Sequence, residues 1–137
     1  MTTTLQPVFA RLRRVLVASA PGYSVSEDTA RRFGLEGPVG PATLQAWGGK
    51  VRAQAIPVAW VEVRKAYVSY HLIMIGIVEN AKLAASLSAA LRTHMHGKSC
   101  FNFEVVDDAL MPELERVTTE SLCGMKKAGY IGDTPVA

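Results

Sequence analysis

The 137-residue chain is predicted to be a single α+β domain, an antiparallel sheet of about five strands covered on one face by two or three helices. Three observations predict this. The length and an apolar fraction of 49% suit one hydrophobic core. Stretches rich in β-branched and aromatic residues alternate with period two in the middle of the chain and again after Gly97. Apolar residues recur at three- and four-residue steps near both ends, and the two patterns do not interleave as a parallel sheet demands.

The first helical pattern spans residues 5 to 20, where Val8, Phe9, Leu12, Val15, Leu16 and Ser19 share a face and Arg11, Arg13 and Arg14 point elsewhere. Thr4 is a suitable cap, Pro7 falls in the first turn, and Pro21 and Gly22 stop the run. From Tyr23 to Pro57 the many glycines and prolines predict short strands and turns, with strands placed around Ser26 to Phe33 and Ala42 to Trp47 and a mobile loop at Gly48, Gly49 and Lys50. Residues 56 to 75 read as a hairpin broken at Arg64 and Lys65. On its second arm Val68, Tyr70 and Leu72 share one face while Tyr67, Ser69 and His71 share the other.

A turn of helix is expected at Glu79 to Ala85, followed by a helix capped by Ser88 that runs through Ala90, Leu91 and Met95 to Gly97. Another strand follows, with Phe101, Phe103 and Val105 on one side. Asp107 and Asp108 then open a long helix carrying Leu114, Val117, Ser121 or Leu122, and Met125, with Pro112 in its first turn or dividing a short leading turn from its main body, and a stop near Gly129. Residues beyond Gly132 are expected to fray.

A net charge of +3 and a pI near 9.0 are mildly basic, without the clustered Lys/Arg footprint of a dedicated nucleic-acid binder. The longest apolar run, Val68 to Val78, is interrupted and falls well short of the roughly 20 residues a membrane helix needs. The amino end lacks a basic segment followed by an apolar one, so a cytoplasmic location is expected. In that compartment Cys100 and Cys123 are expected to be free thiols.

Two segments, Lys65-Ala-Tyr-Val-Ser-Tyr-His-Leu and Gly97-Lys-Ser-Cys-Phe-Asn-Phe followed by Asp107-Asp-Ala-Leu, occur in this order with a capped helix between them. Together they resemble the YdhG-like family, small α+β proteins mostly without an assigned activity. The resemblance covers about Ile56 to Gly129. Some relatives are described as frataxin-like iron chaperones, so it also implies a metal-delivery role. In this chain residues 5 to 20 hold Pro7, Arg11, Arg13 and Arg14 and no carboxylate.

Several residues could carry chemistry. Tyr67 and His71, with Tyr70, Trp60 and Lys98, are the candidate contacts of a small-ligand pocket beside the hairpin, of the apolar, sparsely polar kind. His94, His96 and Cys100 offer nitrogen and sulfur to zinc or another borderline metal, provided the helix ends between the two histidines so that they can converge. Asp107 and Asp108 head an acidic stretch that suits a hard cation, although capping a helix explains them equally. Cys100 with His71 on a neighbouring strand has the residue types of a thiol nucleophile and base. Gly97-Lys98-Ser99 has the close of a phosphate loop, but Arg92 stands where that motif needs glycine. No cofactor is assigned. The function classes left open are a binding or chaperone-like domain for a small molecule or metal, a metal-dependent enzyme using His94, His96 and Cys100, and a homodimeric interaction protein.

Overall fold

The structure, a computed structural model, describes residues 5–19, 22–73, 81–97 and 99–132. Among them, β1 (Ser24–Asp28), β2 (Arg32–Pro38), β3 (Ala55–Val63), β4 (Val68–Leu72) and β5 (Cys100–Phe103) pair in chain order into one antiparallel sheet. The helices are α1 (Gln6–Ala18), α2 (Pro41–Ala46), α3 (Ala81–Ala85), α4 (Ala89–Arg92) and α5 (Met111–Lys127). The α+β class is as predicted: the two long helices, α1 and α5, cover one face of the sheet, and the three short ones are connectors.

Alternation decides which residues meet these helices. Phe33 and Leu35 of β2, Val61 and Val63 of β3, Val68, Tyr70 and Leu72 of β4, and Phe101 and Phe103 of β5 are all buried. Against them α1 sets its predicted stripe of Val8, Phe9, Leu12, Val15 and Leu16, and α5 sets Leu114, Val117, Leu122 and Met125. Each such side chain contributes roughly 1.5–3 kcal/mol when removed from water.

One polar link crosses this core. The Tyr70 hydroxyl lies 2.6 Å from Thr118 Oγ1, and both residues are fully buried. Thr118 Oγ1 donates its own proton to Leu114 O on the preceding turn at 2.7 Å, so Tyr70 is the donor to Thr118. Sheet and helix are thereby registered by a satisfied hydrogen bond in apolar surroundings.

The connectors are tied down by side chains. Glu113 of α5 accepts from the backbone and hydroxyl of Ser88 at 2.8 and 2.6 Å, while the Ser88 hydroxyl caps α4 through Leu91 N. Arg92 donates to the carbonyls of Ala84, Ala85 and Leu87 and so closes the end of α3. At the end of α5 Gly129 adopts a positive φ of 84°, and Gly40 lies so close that a Cβ on it would fall 2.3 Å from Gly129 O.

Several expectations are corrected. Ala42 to Trp47 is not a strand: Pro41 occupies the first turn of α2 and good helix formers follow it. The stretch Ser26 to Phe33 spans the end of β1, a turn and the start of β2. The Ser88-capped helix stops at Arg92, because Met95 bridges Phe101 and the residues around it pair with β5. Val105 is exposed beyond the end of β5. Asp107 and Asp108 do not cap α5 with their side chains; Leu110 holds the cap position, and the two aspartates supply backbone carbonyls to the entering turn. Pro112 does sit in the first turn of α5, and Pro7 in that of α1. Thr4, Glu79 and the residues after Gly132 lie outside the described residues.

Thr118→Val strands the buried Tyr70 hydroxyl without an acceptor and is expected to destabilise the protein by about 1–3 kcal/mol. Tyr70→Phe removes the donor and leaves Thr118 still bonded to Leu114 O, and should cost less. Urea unfolding of the two variants checks the order; equal stability of both variants and the parent would remove the link from the account of the core.

Candidate functional site

The same alternation that buries Val68, Tyr70 and Leu72 turns Ser69 and His71 to the opposite face of the sheet. Strand register then assembles two rows there. Gly34, Trp60, His71 and Cys100 lie side by side across β2 to β5, and Arg32, Glu62, Ser69 and Asn102 form the next row. Sequence distances from Arg32 to Asn102 are closed by the meander alone.

His71 is the centre of this cluster. Its ring stacks on Trp60 with centroids 4.6 Å apart and planes 19° from parallel. Its Nε2 is 3.2 Å from Ser69 Oγ and 3.8 Å from Cys100 Sγ, and the Cys100 thiol donates to Asn102 Oδ1 at 3.3 Å. Gly34 keeps the neighbouring position low, since a Cβ there would fall 2.7 Å from Ser26 Oγ and 3.5 Å from Trp60 Cβ. Glu62 pairs with Arg64 at 3.3 Å and with Arg32 at 3.7 Å, and the Arg32 guanidinium lies 5.7 Å from the centre of the Trp60 ring. Trp60, His71, Cys100 and Asn102 are all half-buried, so each keeps part of its surface open.

Electrostatics make the centre neutral. Burial pushes the His71 imidazole below its ordinary value, Glu62 opposes this, and Arg32 and Arg64 add to it. Burial likewise pushes the Cys100 thiol up, against the pull of Arg64. At neutral pH the pair is a thiol beside an uncharged imidazole. A nucleophilic cysteine needs the reverse, a thiolate held by a cation, so this geometry does not prepare Cys100 for covalent catalysis.

The other predicted residues are distributed differently. Tyr70 belongs to the core and is removed from the set of ligand contacts, because its hydroxyl is consumed by Thr118 and none of its surface is exposed. Tyr67 is half-buried at the turn into β4. Lys98 lies outside the described residues. His94 stacks on Phe103 at 4.4 Å and its Nδ1 sits 3.0 Å from Asn102 O, whereas His96 is exposed and meets Cys100 only through backbone, N to O, at 2.8 Å. His94, His96 and Cys100 therefore do not converge. Asp108 pairs with Arg11 at 3.4 Å, and among the described residues no group of three His, Cys, Asp or Glu side chains is placed to hold a metal ion.

No family model, no curated protein and no solved structure matches the chain. The site thus rests on its own geometry. Concavities of about 270 Å³ beside Tyr23 and α5 and about 250 Å³ beside Glu36 and Gln54 are not lined by Trp60, Tyr67 or His71. Arg32, Glu62 and Asn102 were not among the residues predicted from sequence. For Asn102 the signal was present, since it alternates with Phe101 and Phe103; for Arg32 and Glu62 it required the pairing of β2 with β3.

Protonating His71 puts a cation against the indole face, so Trp60 emission should change with pH. In a Trp47→Phe background the midpoint is expected below the unperturbed value of about 6.5. The unfolded chain takes up this proton first as pH falls, so the contribution of His71 to stability is complete above about pH 6.5 and is lost progressively from there down to the folded-state value. Urea unfolding at several pH values checks the sign: the parent should lose more stability on acidification than His71→Gln, and an equal loss would contradict the assignment.

Proposed function

We propose that this domain is a non-catalytic binding module, and that its recognition surface is the sheet face opposite α1 and α5, centred on His71. The observation that carries the reading is the convergence of Trp60, Ser69 and Cys100 on one half-buried imidazole. With its Nε2 engaged by the buried Ser69 hydroxyl, the uncharged imidazole presents its Nδ1, and the half-buried Asn102 amide provides a further donor beside it. Trp60 supplies a flat apolar wall. These groups suit a small, neutral, planar organic molecule that carries its own donor and acceptor, held by a few directional bonds and by stacking.

The YdhG-like resemblance agrees with a domain of this size and class, and a domain without an assigned activity is what it implies. The iron-delivery role rests on that resemblance alone. The nitrogen and sulfur pair of His71 and Cys100, 3.8 Å apart, favours a softer ion such as zinc if any metal is bound here.

A screen of small heteroaromatic amides and bases by thermal shift and Trp60 emission, with iron(II) and zinc as separate arms, tests the reading. Binding compounds are expected to lose about tenfold or more in affinity against His71→Asn, equivalent to about 1.4 kcal/mol. Compounds that bind His71→Asn and Trp60→Leu as tightly as the parent would place recognition elsewhere. A stoichiometric metal that raises the melting temperature, and is lost in Cys100→Ser, would replace the organic ligand by an ion.

A further inference from the structure

On the helical side of the molecule, away from the His71 face, a cleft of about 270 Å³ lies between the end of α1 and α5. Its walls include Ala18, Leu122, Thr119, Tyr23, Cys123 and Lys126. Tyr23 is fixed as a wall because its hydroxyl donates to Leu122 O, and burial, with Cys123 nearby, holds that hydroxyl protonated, pushed up to about 12. The Lys126 ammonium lies 5.0 Å from the centre of the Tyr23 ring. Gly22 makes room for it: a Cβ at that position would fall 2.7 Å from Lys126 Nζ.

The polarity of the cleft is one-sided. Among the described residues Lys126 has no carboxylate partner, and its ammonium lies over the aromatic face of Tyr23. Thr119 Oγ1 donates to Ser19 Oγ at 3.5 Å and Ser19 Oγ donates to Val15 O at 2.9 Å, so the hydroxyl protons at the opposite end turn into the protein. Between these ends the walls are Ala18, Leu122 and the Tyr23 ring. An unpaired cation at the rim of a small, largely apolar cleft selects an anion with a short apolar body.

We infer that this cleft is a second binding site, which takes a small apolar monocarboxylate with its carboxylate on Lys126 and its hydrocarbon or aromatic body along Tyr23 and Leu122. At about 270 Å³ the space falls just under the usual range for drug-sized ligands, about 300–1,000 Å³, which fits a body the size of benzoate or hexanoate. Affinity is expected in the millimolar range, because one partly exposed ion pair and a short apolar contact are all the site provides.

Cys123 reports occupancy. Its thiol is exposed and lines the cleft, so a bound carboxylate should shield it from alkylation. The rate of iodoacetamide modification at Cys123, resolved from Cys100 by peptide mass spectrometry, is measured against rising benzoate, phenylacetate and hexanoate and against the corresponding neutral amides. The acids are expected to slow the reaction severalfold with half-effects at millimolar concentration, the amides to leave it unchanged, and Lys126→Met to abolish the protection while keeping the parent's melting temperature. Absence of protection by every acid, equal protection by the amides, or full protection in Lys126→Met would each overturn the site. The His71 face does not enter this experiment, so the two readings stand or fall separately.

Discussion

The register of β4 between β3 and β5 is the constraint on which the rest depends. Side chains on a strand alternate with period two, so a slip of one residue would exchange the faces of β4. Tyr70 and His71 are adjacent in sequence, yet one donates to Thr118 in the core and the other stacks on Trp60 on the far face. A slipped register would bury an imidazole among Phe101, Phe103 and Val117 and would leave Thr118 without the phenol. Burying a polar group without a partner costs a few kcal/mol. The hydrogen bond between Tyr70 and Thr118 therefore does more to specify the arrangement than its modest net stability suggests.

The outer face follows from that registration. With Trp60, His71 and Cys100 brought into one row, the local environment decides what they can do, and burial outweighs the charges around them. Among the described residues Glu62 is the carboxylate that favours an imidazolium, and it is shared between Arg32 and Arg64, which oppose that effect. The pair of residues that from sequence resembled a nucleophile and base is thus held in its uncharged form. A neutral donor and acceptor array suits recognition, where directional bonds matter and reactivity is a liability.

The hairpin, the strand at Cys100, the two long helices and their proline starts were legible because each is local: alternation, three-and-four spacing and a capping serine act within a few residues. The separation of Tyr70 and His71 onto opposite faces was legible for the same reason, but which face is buried was not, and Tyr70 stood among the ligand contacts. The stretch from Tyr23 to Pro57 was not legible. There β1 is exposed throughout and has no buried side to set a pattern, and Ala42 to Trp47 carries neither a clear period nor enough length to separate helix from strand. Arg32 and Glu62 escaped notice because only pairing across the sheet gives them a neighbour. His94 and His96 have the spacing of a ligand pair, but along the edge of β5 the His94 ring is occupied by Phe103 and Asn102 O while His96 is exposed.

The two edges of the sheet are handled by different means, and this bears on self-association. At β5 the residues His94 to His96 supply Met95 as a bridge partner to Phe101 and consume backbone groups of Cys100 and Asn102, so that edge is already partly paired. At β1 no such cover is present among the described residues. Its register shifts between Val25 and Glu27, and Glu27 and Asp28 are engaged by Arg32 and Arg13 at 3.1 and 3.0 Å. A bulge and charged residues are what keep an exposed edge from templating another strand. A second copy docking antiparallel on β1 would have to straighten the bulge and accommodate Glu27 and Asp28, which are already held by Arg32 and Arg13. Pairing through the sheet edge is therefore the costly route to a dimer, and a dimer of this chain would more readily use a helical surface.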